Sequence, residues 1–209
     1  MDTQEILELD HTTRVNLLQD LTEIIEGYFA RVHEKRVAPE ITPEEIRSRL
    51  KPFDFSRPLD PREMVNVVVE SLWNYQVHTP HPRYFGLFNP APTTMGIVGD
   101  AIAATFNPQV ATWNHSPFAV ELEQHLIRSF GFEFGYKLEE VDGTFTSGGT
   151  EANLTAILTA LERTFPEFAE RGIRGLTRQP LIYVSNQGHH SFMRAARISG
   201  LGSDAVRQI

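Results

Sequence analysis

The run Thr146-Ser147-Gly148-Gly149-Thr150-Glu151-Ala152-Asn153 places two adjacent glycines between hydroxyl side chains, immediately before a helical pattern. Ala152, Ala156, Ile157 and Ala160 recur at helical spacing and predict a buried helix, with Thr150 as its capping residue. The first N–H groups of a helix have no intrahelical partner, and the aligned peptide dipoles add partial positive charge there. Glycines without Cβ atoms let an anion come close. The chemistry this spacing suits is the seating of a phosphate. An ordinary strand-to-helix connection is the other reading of the same residues.

A second chemical group is Asn186-Gln187-Gly188-His189-His190-Ser191, which follows the β-branched and aromatic run Leu181-Ile182-Tyr183-Val184. That run predicts a buried strand. Phe192 to Ile198 reads as a helix ended by Gly200 and Gly202, and Ala205 to Ile209 as the start of a second strand. Strand, helix, strand is a βαβ unit with a parallel sheet. Ligands of open α/β sheets gather at the carboxyl ends of strands, so His189 is expected where a ligand binds.

A third group is the aromatic loop Thr79 to Pro92, which carries His81-Pro82-Arg83-Tyr84-Phe85 and Phe88-Asn89-Pro90. Prolines at 80, 82, 90 and 92 forbid regular helix or central strand. The rings could plug a core or line a pocket. Asn114 and His115 lie in a turn beside Trp113, where a solvated or packing histidine is the expectation. The spacing of His81, His115, His189 and His190 resembles no ligand pattern, so no metal site is expected.

Helices must position these groups. From about Thr12 to His33, Val15, Leu18, Leu21, Ile25, Tyr28, Phe29 and Val32 form an amphipathic pattern that needs a surface to lie on. Thr42-Pro43-Glu44-Glu45 is a capping box with proline at the first helical position, opening a short helix to about Leu50. Asp60-Pro61-Arg62-Glu63 repeats the device before a stripe of Met64, Val65, Val68, Leu72 and Trp73, with Lys51 to Leu59 as a linker. Thr93 to about Phe106 predicts another helix. Ser116-Pro117 caps one running to Phe130, and Phe165 to Arg178 reads as a polar connection.

With 209 residues, 41% of them hydrophobic and 22% charged, the composition is that of an ordinary globular chain. A net charge of -8 without a basic run argues against nucleic acid as a partner. The absence of cysteine removes disulfides, thiolate ligands and cysteine nucleophiles. Met1 to Asp10 is acidic and lacks a long apolar run, so neither a signal peptide nor a membrane partner is expected and a cytoplasmic location follows.

Taken together, residues 146–153, His81 to Phe85, Ser116-Pro117 with Glu121-Leu122-Glu123, and Asn186 to Ser191 through Gly200-Leu201-Gly202-Ser203-Asp204 resemble the pyridoxal-phosphate-dependent group II amino-acid decarboxylases. That family includes the aromatic amino-acid, histidine and glutamate decarboxylases, and the resemblance runs in family order from about Leu7 to Ile209. It implies an α/β fold of the fold-type-I class: a helical dimerisation segment over 1–78, then the first part of the cofactor-binding domain over 79–209, with an incomplete, mainly parallel sheet. The implied cofactor is pyridoxal 5'-phosphate. Gly149 and Thr150 would hold its phosphate, Ser147 and Gly148 would shape the turn, and His189 would stack on its ring and act on the substrate.

Phe88, Asn89 and Pro90 match the family's substrate-facing segment, although the aromatic decarboxylases tend to carry threonine where this chain has Pro90. The substrate would be an amino acid. The family also needs a Schiff-base lysine and an acid beside the ring nitrogen. Lys35, Lys51 and Lys137, the lysines of this chain, match neither the position nor the context of that lysine. The expectation is therefore the N-terminal half of such an enzyme, inactive alone. It would be stable as a homodimer or in a hetero-oligomer with a chain that carries the lysine. Other fold-type-I reactions (lyase, aminotransferase, decarboxylative condensation) and a non-catalytic split or truncated subunit are the alternatives.

Overall fold

The computed structural model describes residues 8–54, 56 and 58–209. The part of the acidic leader before residue 8, the start of the resemblance at Leu7, and positions 55 and 57 of the linker lie outside the described residues. The chain divides into two compact units, Met1–Asn107 and Pro108–Ile209.

In the first unit, α1 spans His11–Arg31, and Asp10 caps it by accepting from the Thr13 N–H at 3.0 Å. A 3-10 turn over Val32–Glu34 follows. Helix α2, Pro43–Leu50, opens on the expected reciprocal box. The Thr42 hydroxyl accepts from the Glu45 N–H at 3.3 Å, and the Glu45 carboxylate accepts from the Thr42 N–H at 2.7 Å. Helix α3, Pro61–Tyr75, starts with proline at its first position, and Asp60 accepts from the Glu63 N–H at 2.9 Å. Helix α4, Thr94–Phe106, is capped by Thr93 and ends at Asn107, which takes the left-handed conformation (φ 43°).

Helices α1 and α3 meet through Tyr28 and Trp73, whose rings pack edge to face at 5.3 Å, and through the Arg62–Asp20 ion pair at 2.7 Å. The surface that α1 was expected to need covers only its C-terminal half. Val15, Leu18 and Leu21 stay exposed, as do Val68 and Leu72 of α3.

In the second unit, α5 spans Pro117–Glu133, α6 Gly149–Thr164, α7 Phe168–Arg171, β1 Ile182–Val184, α8 Ser191–Ile198 and β2 Val206–Gln208. β1 and β2 pair in parallel, with Ile182 opposite Val206 and Val184 opposite Gln208, so the strand–helix–strand expectation holds. Gly200 and Gly202 both take positive φ (83° and 80°) where the chain leaves α8.

Several local expectations are corrected. Ser116 occupies the cap position of α5 but makes no side-chain capping bond. Thr150 does not cap α6: the helix begins at Gly149, with Gly148 at the cap two residues earlier than expected, so Thr150 already has helical backbone. Ala152, Ala156 and Ala160 are exposed, and Leu161 is the buried residue of α6. The helix is covered where α8 lies against it. Its alanine side opens on a groove of about 630 Å³ toward Ile182 and Tyr183, because two short strands are too narrow to cover it. For the same reason Tyr183 is exposed in a strand expected to be buried. The connection over 165–178 is also more structured than its polarity suggested, with a buried Phe165, α7 and a 3-10 turn over Gly172–Gly175. Among the described residues, no helix is long and apolar enough to cross a membrane.

Two histidines anchor the aromatic loop of the first unit. His78 is 2% exposed; its Nε2 lies 3.2 Å from the Trp73 carbonyl and its Nδ1 3.0 Å from the Tyr28 hydroxyl. A carbonyl only accepts, so Nε2 carries the proton and Nδ1 receives the Tyr28 O–H. Burial holds His78 below its ordinary value of 6.5, and nearby Lys35 adds to the effect. Above that value both folded and unfolded chains hold the imidazole neutral. Below it the unfolded chain takes up the proton first, so stability should fall as pH drops toward the lowered folded value. Urea unfolding across a pH series, read through Trp73 fluorescence, should show this slope. His78→Gln should flatten it at a cost of about 1–2 kcal/mol from the altered buried hydrogen bonds.

Candidate functional site

The glycine turn is open. Gly148 is extended (φ 174°), a conformation any residue adopts, and a Cβ added at Gly148 or Gly149 would meet nothing within 4 Å. Neither backbone strain nor packing requires glycine here; their missing side chains leave free space over the N-terminus of α6. Among the described residues, the N–H groups of Gly149 and Thr150 make no hydrogen bond. They face a cavity of about 370 Å³ lined by Ser147 to Glu151, Leu154, Arg194, Ala195 and Ile198.

Ser147 is already engaged. Its N–H and its hydroxyl both donate to one oxygen of Glu151, at 2.9 and 2.7 Å. A residue in the first turn thus reaches back over the start of its own helix and ties down the chain that precedes it, while the helix itself has no side-chain cap. These bonds, the hydroxyl first and the backbone second, hold the Glu151 carboxyl below the usual glutamate range. The donors left for an external anion are the N–H groups of Gly149 and Thr150. The exposed Arg194 lines the same cavity and contributes positive charge.

His189 sits in the turn between β1 and α8, at the carboxyl end of the strand. Its Nδ1 lies 2.9 Å from the Ser191 hydroxyl and receives the Ser191 N–H at 3.2 Å. Ser191 is fully buried and also accepts from the Asn153 side-chain amide on α6 at 2.8 Å. The glycine turn and the histidine are therefore joined through one helix. The ring of His190 lies 4.1 Å from that of His189, tilted by 38°, and packs against it.

Phe88, Asn89 and Pro90 belong to the first unit. The loop that bears them is tied down at its start, where His81 (3% exposed) bridges the His33 carbonyl at 3.2 Å and the Arg83 N–H at 2.9 Å. The Tyr84 ring folds over Gly86, where a Cβ would come within 2.6 Å of it, and the Tyr84 hydroxyl accepts from the Leu87 N–H at 3.0 Å. Beyond that clamp Phe85, Leu87 and Phe88 are exposed, so within this unit the loop does not plug the core. Among the described residues, the His115 side chain bonds only its own turn, through Thr112 at 3.2 Å. Among the described residues, no group of three or more His, Cys, Asp or Glu could hold a metal ion.

Roles for Glu151, Asn153, Ser191 and Arg194 were not assigned from sequence. The spacing of Ser147 and Glu151, four residues apart at a helix start, was a usable signal. The Asn153–Ser191 bond, 38 residues apart in sequence, left none.

Comparison with known proteins gives the class. Residues 43–209 match the family model "Pyridoxal-dependent decarboxylase conserved domain", and the chain belongs to this family. It is 30% identical over 225 residues to a tyrosine decarboxylase from Oryza sativa subsp. japonica, a match covering 100% of this chain and 39% of that protein. Among solved structures, mouse CSAD superposes with a TM-score of 0.82 at 25% identity, covering 96% of this chain and 42% of the other. Oryza sativa TDC with PLP superposes at 0.83 and 21% identity, covering 96% and 44%. The chain thus spans less than half the length of these relatives. The neighbours are fold-type-I enzymes, and the helices with a small parallel sheet form part of that α/β fold.

The family is pyridoxal-dependent, and the residues present fit the phosphate of that cofactor. The space a Cβ would fill at Gly148 and Gly149 is vacant, two helix-terminal N–H groups face it, and Arg194 shares the cavity. The Ser147–Glu151 contact gives a direct check on the turn. In a carbon-13 NMR titration, Glu151 should titrate below the ordinary 4.5, and Ser147→Ala, which removes the larger of the two causes, should move it back toward that value. An unchanged titration in the variant would mean that the carboxylate does not hold the turn.

Proposed function

We propose that this chain supplies the phosphate seat and the ring-facing histidine of an amino-acid decarboxylase that uses pyridoxal 5'-phosphate. When bound, that cofactor supplies the electron sink that lets the bond from Cα to the carboxylate break. The observation that carries the proposal is the single helix α6. It opens on the free N–H groups of Gly149 and Thr150, and one turn later it holds His189 through Asn153 and Ser191.

In this reading the N–H groups of Gly149 and Thr150, with Arg194, bind the phosphate. Ser147 and Gly148 shape the turn around it, and His189 packs on the ring and contacts the substrate. Fixing the cofactor at one end and over one face lowers the barrier by positioning. Phe88, Asn89 and Pro90 are assigned to the substrate side, and the exposure of Phe88 within its own unit supports a contact with another body.

The lysine is assigned to residues beyond these 209, in the same protein or in a partner chain. Lys35 lies 4.9 Å from the centre of the Trp73 ring, Lys137 pairs with Glu140 at 2.6 Å, and Lys51 follows α2. Lys35 and Lys51 belong to the first unit, and Lys137, in the second, does not line the cavity at the glycine turn. The 209 residues alone are accordingly assigned no decarboxylase activity.

Residues 1–78 are assigned to dimerisation and 79–209 to cofactor binding. The exposed Leu18, Val68 and Leu72 and an apolar groove of about 550 Å³ lined by Ile24, Ile25, Phe29 and Trp73 support the first assignment. A cytoplasmic location accords with the acidic composition.

The test is product analysis on the natural assembly given single L-amino acids. Amine with carbon dioxide is the expected outcome. Keto acid or aldehyde would replace decarboxylation by another fold-type-I reaction, and no product would favour a non-catalytic subunit. Gly149→Val should keep the helical circular dichroism while weakening pyridoxal phosphate binding about tenfold to a hundredfold, roughly 1.4–2.8 kcal/mol by calorimetry. Unchanged affinity would remove the phosphate from this turn.

A further inference from the structure

We propose that Ser191, held in place by Asn153, is a positioning residue that fixes His189 in the tautomer with its proton on Nε2. That N–H is then a hydrogen-bond donor at the exposed edge of the ring. The direction of every bond follows from one fact: a backbone N–H can only donate. The Ser191 N–H lies 3.2 Å from the His189 Nδ1, so Nδ1 must present its lone pair. The Ser191 hydroxyl stands 2.9 Å from the same nitrogen. Its oxygen is already an acceptor for the Asn153 amide at 2.8 Å, which leaves its one hydrogen to point at Nδ1. A neutral imidazole with its lone pair on Nδ1 carries hydrogen on Nε2.

Burial makes the arrangement hard to reverse. Ser191 is 0% exposed, so no water competes for its hydroxyl, and a hydroxyl left unpaired there would be costly. His189 itself is exposed, and among the described residues its Nε2 has no partner. His190, packed on the ring at 4.1 Å, restricts its orientation further. The donor is also tied to the helix that carries the glycine turn, because Asn153 lies one turn beyond Gly149 on α6. The bearing of this device on catalysis rests on the reading of His189 given above, whereas the tautomer itself is a property of the ligand-free protein.

The experiment is nitrogen-15 NMR of histidine-labelled protein without cofactor, at a pH where the imidazoles are neutral, with the His189 signals assigned by loss in His189→Gln. The expected wild-type pattern is a lone-pair signal at Nδ1 and a protonated signal at Nε2. Ser191→Ala keeps the backbone N–H but removes the hydroxyl donor, and should raise the share of the Nδ1-protonated tautomer above that of the wild type. Asn153→Asp should raise it likewise with the hydroxyl still present, because a carboxylate accepts the Ser191 hydrogen and leaves Nδ1 with the backbone N–H alone. Should Ser191→Ala not fold, the aspartate variant carries the test alone.

A protonated Nδ1 in the wild type, or wild-type signals in the folded variants, would overturn the proposal. Pyridoxal phosphate added to the wild-type sample separates the two readings. Movement of the His189 ring signals supports a ring-facing role. Unmoved signals with the tautomer intact would sink that role and leave the tautomer assignment standing.

Discussion

The second unit depends on one buried hydroxyl. Ser191 has no access to water, so its polar atoms must find partners inside the fold, and it finds them on two different segments. One partner is Asn153 on α6 and the other is His189 at the end of β1. Satisfying that single group fixes α8 against α6 and sets the histidine at a defined place relative to the glycine turn. Small residues make the close approach possible: Ala195 and Ala196 of α8 are buried. The site is therefore held between two helices, with the turns over 147–148 and 185–190 left irregular.

The first unit uses the same device with different chemistry. His78 and His81 are buried and each satisfies both ring nitrogens, His78 between a carbonyl and a tyrosine hydroxyl, His81 between a carbonyl and a backbone N–H. Together they pin the start of an aromatic loop to the end of α1 and to the turn that follows it. Arg31 and Lys35 stand over the Trp73 ring, at 5.4 and 4.9 Å, so the positive charges of this corner are held by π faces instead of carboxylates. The loop is rigid where it is anchored and exposed where its phenylalanines project.

Much apolar surface stays uncovered. Leu18, Phe88 and Phe106 are exposed in the first unit and Phe118, Phe134 and Tyr136 in the second, and the two-stranded sheet leaves one side of α6 open. Scattered apolar residues on a surface need no explanation, but contiguous ones mark faces that meet other protein. The matched relatives are more than twice as long as this chain.

By itself, the sequence determined what depends on neighbours in the chain. Thr42 with Glu45, and Asp60 with Pro61, started helices where they were expected, because capping bonds and proline geometry act over three or four residues. The family, and with it the α/β class, was legible from motifs at 81–85, 146–153 and 186–191. Only the tertiary structure decided the rest. It placed Gly148 instead of Thr150 at the cap of α6, tied Glu151 back to Ser147, and turned the alanines of that helix outward. It also buried Ser191 between two segments that spacing could not connect. Burial and long-range hydrogen bonds depend on which surfaces meet, and a one-dimensional pattern of polar and apolar residues does not encode that meeting.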